Sequence, residues 1–281
     1  MVMALTFNDA CAAIIYASSP IQTFGSIGIY MKKSLTILAA ALLSTSATAN
    51  DFDTVEAKLE VAMAADVRTE RDIERDRNRM PVETLRFFGL SDDMRIVELL
   101  PGGGWYTKLL APVMAENGEY YAALGTGRIK ESLAGEKGFE KINIVATEAK
   151  IYRPEGSRFY ALELDDLGVK NADMVLTFRN YHNFAEEGRA AMNQAAYAAL
   201  KPGGIYAVVD HSRRNMEADN DENRRRIDPV LAIKEIQAAG FELVNFSTLH
   251  FRPDDELRYE VGRKSVTGNT DRFTLKFRKP E

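Results

Sequence analysis

The chain has 281 residues, of which 46% are hydrophobic and 27% are charged. This length and composition suit one globular domain of ordinary α/β size with a sizeable core. The formal net charge is −5 at pH 7 and no basic run is longer than Arg224–Arg226, which argues against a nucleic-acid-binding surface.

The first fifty residues carry the pattern of a secretory signal. From Met31 the sequence MKKSLTILAAALLSTSATA has two lysines, an apolar stretch and small residues that end in an Ala-x-Ala cleavage site. We expect translation to start at Met31, so that residues 1–30 are an overextended, disordered gene start; a genuine N-terminal extension is the alternative. Residues 31–49 are then a signal peptide cleaved after Ala49, because its apolar stretch is shorter than the roughly 20 residues that span a bilayer.

Cleavage at this site would also remove Cys11, the only cysteine. The mature chain would then lack a thiol nucleophile, a zinc–thiolate site, an iron–sulfur cluster and a cysteine for lipid attachment. We therefore expect a periplasmic or secreted protein without stable membrane insertion.

An N-terminal helical segment is predicted over residues 50–90. Up to residue 80 it lacks glycine and proline, and it places Arg71, Arg75 and Arg79 at successive i+4 steps. This arginine stripe is either a solvated helix face with weak ion pairs or a lid whose arginines face an anionic ligand.

A candidate binding loop follows a second short helix, PVETLRFFG, which Pro81 opens and Gly89 caps. Residues Arg95–Ala111, RIVELLPGGGWYTKLLA, have the pattern of strand, tight glycine turn and helix. Glycines at such a turn let a ligand approach the main chain, and the helix start supplies unpaired N–H groups. The turn is therefore expected to hold a small molecule.

Strands alternate with helices through the domain predicted over residues 91–281. The predicted strands after the first are EYYAALG, RFYALELDDLG, ADMVLTFRNYHNF and IYAVVDH, each a nearly continuous apolar run. This pattern favours an α/β fold with a doubly wound, mostly parallel sheet covered on both faces. Two late strands, FELVNFSTLHF and DRFTLKFRKP, have no evident helix between them and predict a C-terminal antiparallel hairpin at the sheet edge.

Three stretches resemble the class I methyltransferases that bind S-adenosylmethionine. VELLPGGG resembles their first motif, with Glu98 as its acid and Gly102 and Gly104 as its glycines; ALKPGGIYAVVDH resembles the turn into the fifth strand. FRNYHN resembles the end of the fourth strand in quinone-biosynthesis C-methyltransferases. With AGFELV these stretches cover most of residues 90–281, and the whole pattern is still closer to exported bacterial proteins described as predicted methyltransferases. The resemblance implies a Rossmann-like methyltransferase fold with S-adenosylmethionine as cofactor.

Two positions depart from that pattern, and a third argues against a nicotinamide-binding protein. Leu100 stands where the family usually has a first glycine, and YYAALGTG offers no carboxylate for the ribose hydroxyls. A nicotinamide-binding Rossmann protein would need a third glycine where Thr107 stands.

Ligands of a doubly wound sheet lie outside the carboxyl ends of its strands. The residues that the resemblance and this rule assign to the cofactor are Glu98, Pro101, Gly102, Gly103, Gly104, Trp105, Asp165, Asp166 and Arg179. The residues assigned to chemistry on the acceptor are His182, His211 and Asn180.

Each of these roles has a structural alternative. A histidine can remove a proton near neutral pH, but local backbone contacts can equally satisfy it. Asn180 would hold a substrate oxygen, and Trp105 either stacks on a ligand or seals the helix against the sheet. No spacing of histidines and acids supports a metal site.

The sequence therefore predicts an S-adenosylmethionine-dependent methyltransferase that acts on an unidentified small-molecule acceptor. The alternative is a catalytically inactive protein of the same fold that binds a small ligand or a partner in the periplasm. Export favours this alternative because the cofactor is made in the cytoplasm, whereas the glycine loop and the polar strand ends favour catalysis.

Overall fold

The computed structural model describes residues 50–133 and 135–281. The expected gene start, residues 1–30, and the expected signal peptide, residues 31–49, lie outside the described residues. Within the described part, no helix combines the length and the apolar character needed to cross a membrane.

The N-terminal segment is helical, as predicted, but the helix is interrupted. Thr69 starts a new helix through a capping box, in which its hydroxyl accepts from the Asp72 N–H and the Asp72 carboxylate accepts from the Thr69 N–H. A second interruption at residues 74–75 separates Glu70–Ile73 from Asp76–Arg79, so the single continuous helix predicted to carry Arg71, Arg75 and Arg79 does not form. The helices are α1 (Asn50–Met63), α2 (Glu70–Ile73) and α3 (Asp76–Arg79).

The second short helix forms as predicted. Helix α4 covers Pro81–Phe88, with proline in its first turn. Gly89 ends it in the left-handed conformation at φ 81°, which a glycine adopts without strain.

Strands and helices alternate through the rest of the chain. The strands are β1 (Arg95–Leu99), β2 (Glu119–Ala123), β3 (Asn143–Val145), β4 (Lys150–Tyr152), β5 (Ala161–Glu163), β6 (Ala172–Phe178), β7 (Leu200–His211), β8 (Glu242–Ser247) and β9 (Arg272–Arg278). The helices among them are α5 (Thr107–Met114), α6 (Gly127–Leu133), α7 (Glu186–Ala199) and α8 (Pro229–Ala238).

Seven of these strands form the central sheet in the order β3-β2-β1-β6-β7-β9-β8. The pairs of β1 with β2 and β6, of β2 with β3 and of β6 with β7 are parallel, whereas β9 runs antiparallel to both β7 and β8. The mostly parallel sheet with antiparallel C-terminal strands is confirmed.

One predicted strand of the central sheet lies elsewhere. In RFYALELDDLG, strand β5 pairs antiparallel with β4 in a separate two-stranded sheet, and β3 is the third parallel strand instead. The reason is that LELD, from Leu162 to Asp165, alternates apolar and polar side chains, as an antiparallel strand with one wet face does. The prediction of a buried parallel strand at this position is therefore wrong.

Apolar side chains cover both faces of the central sheet. Ile96 and Met174 belong to a cluster with helices α1, α4 and α5, whereas Val97 and Val175 belong to a second cluster with α7 and α8. Successive side chains of a strand point to opposite faces, so both faces are buried and the strand ends remain as the place for a ligand.

Candidate functional site

A cleft of about 550 Å³ lies at the carboxyl ends of β1, β6 and β7. Its remaining walls come from helices α2 and α3 and from the segment that leads into β9. The predicted site residues that line it are Glu98, Pro101, Gly102, Gly103, Trp105, Arg179, Asn180, His182 and His211.

The glycine loop forms one wall of this cleft. Leu100 adopts the left-handed conformation at φ 56°, so a leucine holds a backbone geometry that glycine normally supplies. The loop is braced on both sides: the Leu100 N–H donates to the Ala123 carbonyl at 2.9 Å, and Asn180 Nδ2 donates to the Leu100 carbonyl at 3.0 Å. Arg128 lines the cleft beside Gly102.

The loop glycines have different surroundings. A Cβ added to Gly103 would meet no atom within 4 Å, so the space beside it is open. A Cβ on Gly104 would lie 3.1 Å from Ile129, and Gly104 does not line the cleft. The structure therefore places Gly103 beside the ligand space and Gly104 in the packing of the loop against α6, contrary to the role predicted for Gly104.

Glu98 is buried at the end of β1 and reaches the cleft. Its carboxyl group accepts hydrogen bonds from the Thr107 hydroxyl at 2.9 Å and from the Tyr120 hydroxyl. Burial is the main cause that raises the pKa of Glu98 to about 7, and the two hydroxyl donors act against it. Thr107, which occupies the position of a dinucleotide-type third glycine, therefore ties the strand end to helix α5.

Trp105 joins the glycine loop to the N-terminal helices. The indole Nε1 donates to the Asp72 carbonyl at 2.9 Å, and the Arg79 guanidinium lies 4.2 Å from the ring centroid. The side chain is 5% exposed and lines the cleft. Its contacts are thus with the N-terminal helices, and stacking on a ligand stays a prediction.

His182 and Asp210 form a buried pair at the ends of β6 and β7. Asp210 Oδ1 lies 2.5 Å from His182 Nδ1, and Asp210 also accepts from the backbone N–H groups of His182 at 2.9 Å and His211 at 2.6 Å. Because the carboxylate accepts a hydrogen bond from Nδ1–H, the second ring nitrogen, Nε2, carries the lone pair and is the one that can accept a proton. Among the described residues, no hydrogen-bond partner reaches Nε2, and His182 lines the cleft.

The other two histidines differ from His182. His211 is buried with its Nδ1 3.0 Å from Thr270 Oγ1, and burial and the nearby Arg272 lower its pKa well below the ordinary value. His250 lies outside the cleft, between the Thr274 hydroxyl at 2.7 Å and the Arg79 carbonyl at 3.1 Å. Of the three histidines, His182 is the one whose ring is held by a carboxylate.

Three predicted site residues have other contacts than expected. The Asn180 amide nitrogen donates to the Leu100 and Phe178 carbonyls, both at 3.0 Å, so it braces the loop and is not free to donate to a substrate. Asp165 and Asp166 follow β5 and border a different hollow beside the two-stranded sheet. They do not line the cleft, because the strand that precedes them is not part of the central sheet.

Sequence reasoning misses Arg272, whereas the lid alternative for the arginine stripe includes Arg79, and Arg75 and Arg79 do line the cleft. Arg79 and Arg272 are 4% and 7% exposed, and they join Arg179, which the sequence places there correctly. The i+4 arginine pattern points to the region of Arg79, but Arg272 has no motif around it. Within the described residues, no group of three or more metal-ligating side chains is placed to hold a metal ion.

The comparisons with known proteins bear on the fold. No protein-family profile matches the chain, and no curated protein matches its sequence. Among solved structures it is similar to a SAM dependent methyltransferase from Aquifex aeolicus, with a TM-score of 0.51 at 13% identity over 73% of this chain and 93% of that one. It is also similar to the [4+2]-cyclase SpnF, with a TM-score of 0.50 at 14% identity over 82% and 93%. The names of these two proteins denote different reactions, so the likeness concerns architecture. The chain has the Rossmann-like fold of class I methyltransferases.

Proposed function

We propose that this protein is an S-adenosylmethionine-dependent methyltransferase for a small-molecule acceptor. The observation that carries the proposal is the His182–Asp210 pair, which shares one cleft with the glycine loop. The fold similarity to the SAM dependent methyltransferase from Aquifex aeolicus supports it.

The residues around the glycine loop fit this cofactor. The open space beside Gly103 allows a ligand to contact the main chain. Glu98, whose carboxyl group reaches the cleft, offers an acceptor for an ammonium group. When bound, the cofactor supplies an electrophilic methyl group to the acceptor.

The chain's own residues align the acceptor and take its proton. Asp210 fixes the ring of His182 through Nδ1, so Nε2 is oriented toward the cleft as a general base. Asn180 holds the Leu100 carbonyl and keeps the loop in place relative to the strand ends. Alignment of the reacting atoms is the larger contribution, because proton removal is needed only when the acceptor atom is protonated.

The experiment is calorimetric titration of the chain beginning at Asn50 with S-adenosylmethionine and with S-adenosylhomocysteine. Gly103→Leu places a side chain in the open space and is expected to weaken binding by about tenfold or more. Gly127→Leu is the matched control, because a Cβ added to Gly127 would also meet no atom within 4 Å but Gly127 does not line the cleft. No binding of either compound at millimolar concentration would overturn the proposal.

His182→Ala tests the chemistry separately from binding. Cofactor affinity is expected to stay within about twofold, while transfer of a labelled methyl group into a small-molecule extract falls by about 100-fold or more. Equal transfer by the variant and the wild-type protein would remove His182 from the mechanism.

We also propose that the protein works in the periplasm or is secreted, as the signal pattern from Met31 and the likeness to exported bacterial proteins suggest. N-terminal sequencing of the exported protein is expected to begin at Asn50. A start far from this residue, or retention in the cytoplasm, would contradict this part of the proposal.

A further inference from the structure

Three arginines of the cleft lack the partners that a buried cation normally has. Arg79 Nη1, Arg179 Nε and Arg272 Nε are buried without a hydrogen-bond acceptor. Among the ion pairs between described residues, none involves these three guanidinium groups. Buried charges are usually paired, since an unpaired one loses its hydration without compensation.

The acidic side chains that line the cleft, Asp72 and Glu98, and the nearby Asp210 are already engaged elsewhere. Asp72 accepts from Lys108 Nζ at 2.9 Å, Glu98 accepts from two hydroxyl groups, and Asp210 is paired with His182. None of these carboxyl groups forms a hydrogen bond with an arginine of the cluster in the described structure. No carboxylate of the described residues is therefore in direct contact with the three cations, and Asp210 acts on Arg179 and Arg272 only through its charge at longer range.

The three cations also act on each other and on Tyr106. Burial, and next the charge of Arg179, lower the pKa of Arg79 to about 8 and that of Arg272 to about 10. Burial raises the pKa of the Tyr106 hydroxyl, which all three arginines oppose. Tyr106 stacks on Phe178 with ring centroids 3.5 Å apart, so its phenol borders a rigid, positively charged part of the cleft.

The backbone holds one of these arginines in an unusual conformation. Arg179 has φ 60°, and its N–H donates to the Val209 carbonyl at 2.7 Å. A left-handed arginine is strained and persists only where its surroundings impose it. Arg272 is fixed from another direction, because its Nη1 donates to the Asn78 carbonyl at 2.6 Å.

We propose that Arg79, Arg179 and Arg272 form a subsite for a multiply charged oxyanion group, a phosphate ester or a polycarboxylate, on the methyl acceptor. The identification of the ligand as an acceptor rests on the proposed function, whereas the anion subsite does not. The group is not the cofactor's own carboxylate alone, because that single charge is outweighed by the ammonium and sulfonium groups of the same molecule. Since His182 lines the same cleft, an anchored oxyanion would hold the rest of the acceptor near the base.

The experiment measures anion binding and cofactor binding as separate arms. The chain beginning at Asn50 is titrated with pyrophosphate, with citrate and with S-adenosylhomocysteine, in chloride buffer of constant ionic strength. Arg79→Gln removes a guanidinium group whose Nη1 has no partner. Arg278→Gln is the matched control, because Arg278 lies at the other end of β9 and is paired with Glu242 at the surface.

The wild-type protein is expected to bind pyrophosphate or citrate, and the better of the two identifies the phosphate or the carboxylate class. Arg79→Gln is expected to weaken that binding by about tenfold or more, and Arg278→Gln by less than about twofold. S-Adenosylhomocysteine is expected to bind all three proteins with similar affinity.

Several results would overturn one proposal and not the other. No anion binding, or equal loss in both variants, overturns the subsite even if S-adenosylhomocysteine binds. Anion binding that Arg79→Gln abolishes, without any binding of the cofactor or its product, supports the subsite and overturns the methyltransferase proposal. Circular dichroism of Arg79→Gln shows whether the variant is folded, and Arg79→Lys, which keeps the charge, is expected to recover part of the anion affinity.

Discussion

Two kinds of buried arginine lie near each other at the carboxyl edge of the sheet. Arg226 is 2% exposed and fully partnered: it forms a bidentate pair with Asp255, both distances 2.9 Å, and donates to the Ser212 and Tyr259 carbonyls. Arg79 and Arg272 are nearly as buried and have no carboxylate partner in the described part of the chain.

The difference separates a structural cation from a binding cation. The fork of Arg226 joins the segment after β7 to the long loop before β9, and each of its three nitrogens has an acceptor. The cluster of Arg79, Arg179 and Arg272 keeps donors free at a cavity wall. Burial alone therefore does not indicate whether an arginine stabilises the fold; its partners do.

The largest expected effect is the loss of the paired arginine. Arg226→Met is expected to lower the free energy of unfolding by about 3–5 kcal/mol, because it leaves the Asp255 carboxylate buried without a cation. Urea unfolding at pH 7 measures this change. Arg226→Lys retains a charge without the bidentate geometry, so its free energy of unfolding should lie between those of the wild-type protein and Arg226→Met. A loss below about 1 kcal/mol in Arg226→Met would contradict the structural role.

His250 contacts the backbone of Arg79 and makes the stability of the protein depend on pH. Burial lowers its pKa to about 4, from 6.5 in the unfolded chain, and the neutral ring matches its partners: Nε2–H donates to the Arg79 carbonyl and Nδ1 accepts from the Thr274 hydroxyl. Between these two pKa values, His250 is protonated in the unfolded chain and neutral in the folded protein. The stability contributed by neutral His250 is thus complete above pH 6.5 and is lost as the pH falls toward 4, by up to roughly 3 kcal/mol.

The measurement compares the pH dependence of urea unfolding for the wild-type protein and His250→Gln. Glu98 acts with the opposite sign, because its folded pKa of about 7 lies above the ordinary 4.5, so its stability contribution falls as the pH rises from 4.5 to 7. Glu98 is present in both the wild-type protein and His250→Gln, so the difference between their free energies of unfolding reports His250 alone. Parallel stability curves between pH 4 and 6.5 would show that His250 does not carry the acid sensitivity.

A smaller effect of opposite direction is expected for the unpaired cluster. Arg79→Gln should raise the free energy of unfolding of the ligand-free protein by about 1–2 kcal/mol at pH 7, since relief from burying a cation exceeds the lost contact with Trp105. The folded pKa of about 8 lies below 12.5, so the wild-type protein gains stability as the pH rises above 8 and the advantage of the variant shrinks. If Arg79→Gln is less stable than the wild-type protein, and the difference in the free energy of unfolding does not change above pH 8, Arg79 has a structural role.

The parts of the site that the sequence predicts are those that follow directly from a strand. The glycine loop comes after β1, His182 follows β6 and His211 ends β7, so their place at the carboxyl edge results from parallel strand order. The same rule misplaces Asp165 and Asp166, because β5 belongs to another sheet.

The arginine cluster cannot be predicted in this way. Arg79 comes from a short N-terminal helix and Arg272 from the first position of the last strand, so only the folded chain brings them together. An unpaired buried arginine also looks like a surface arginine in a sequence, because neither its burial nor its missing partner leaves a local pattern. The Asp210 partner of His182 is visible in the sequence, but their pairing depends on the register between neighbouring strands.

The smallest expected effect is at the other end of β9, where Arg278 completes the comparison. Arg278 and Glu242 lie 3.1 Å apart with about half of each side chain exposed, and such pairs contribute little because water and salt screen them. Arg278→Gln is therefore expected to change the free energy of unfolding by less than about 0.5 kcal/mol. Arg272 and Arg278 lie on the same strand, so urea unfolding of Arg272→Gln and Arg278→Gln separates the effect of burial from the effect of strand position. A change above about 1 kcal/mol at Arg278 would show that the position on the strand, and not the missing partner, determines how much an arginine changes the free energy of unfolding.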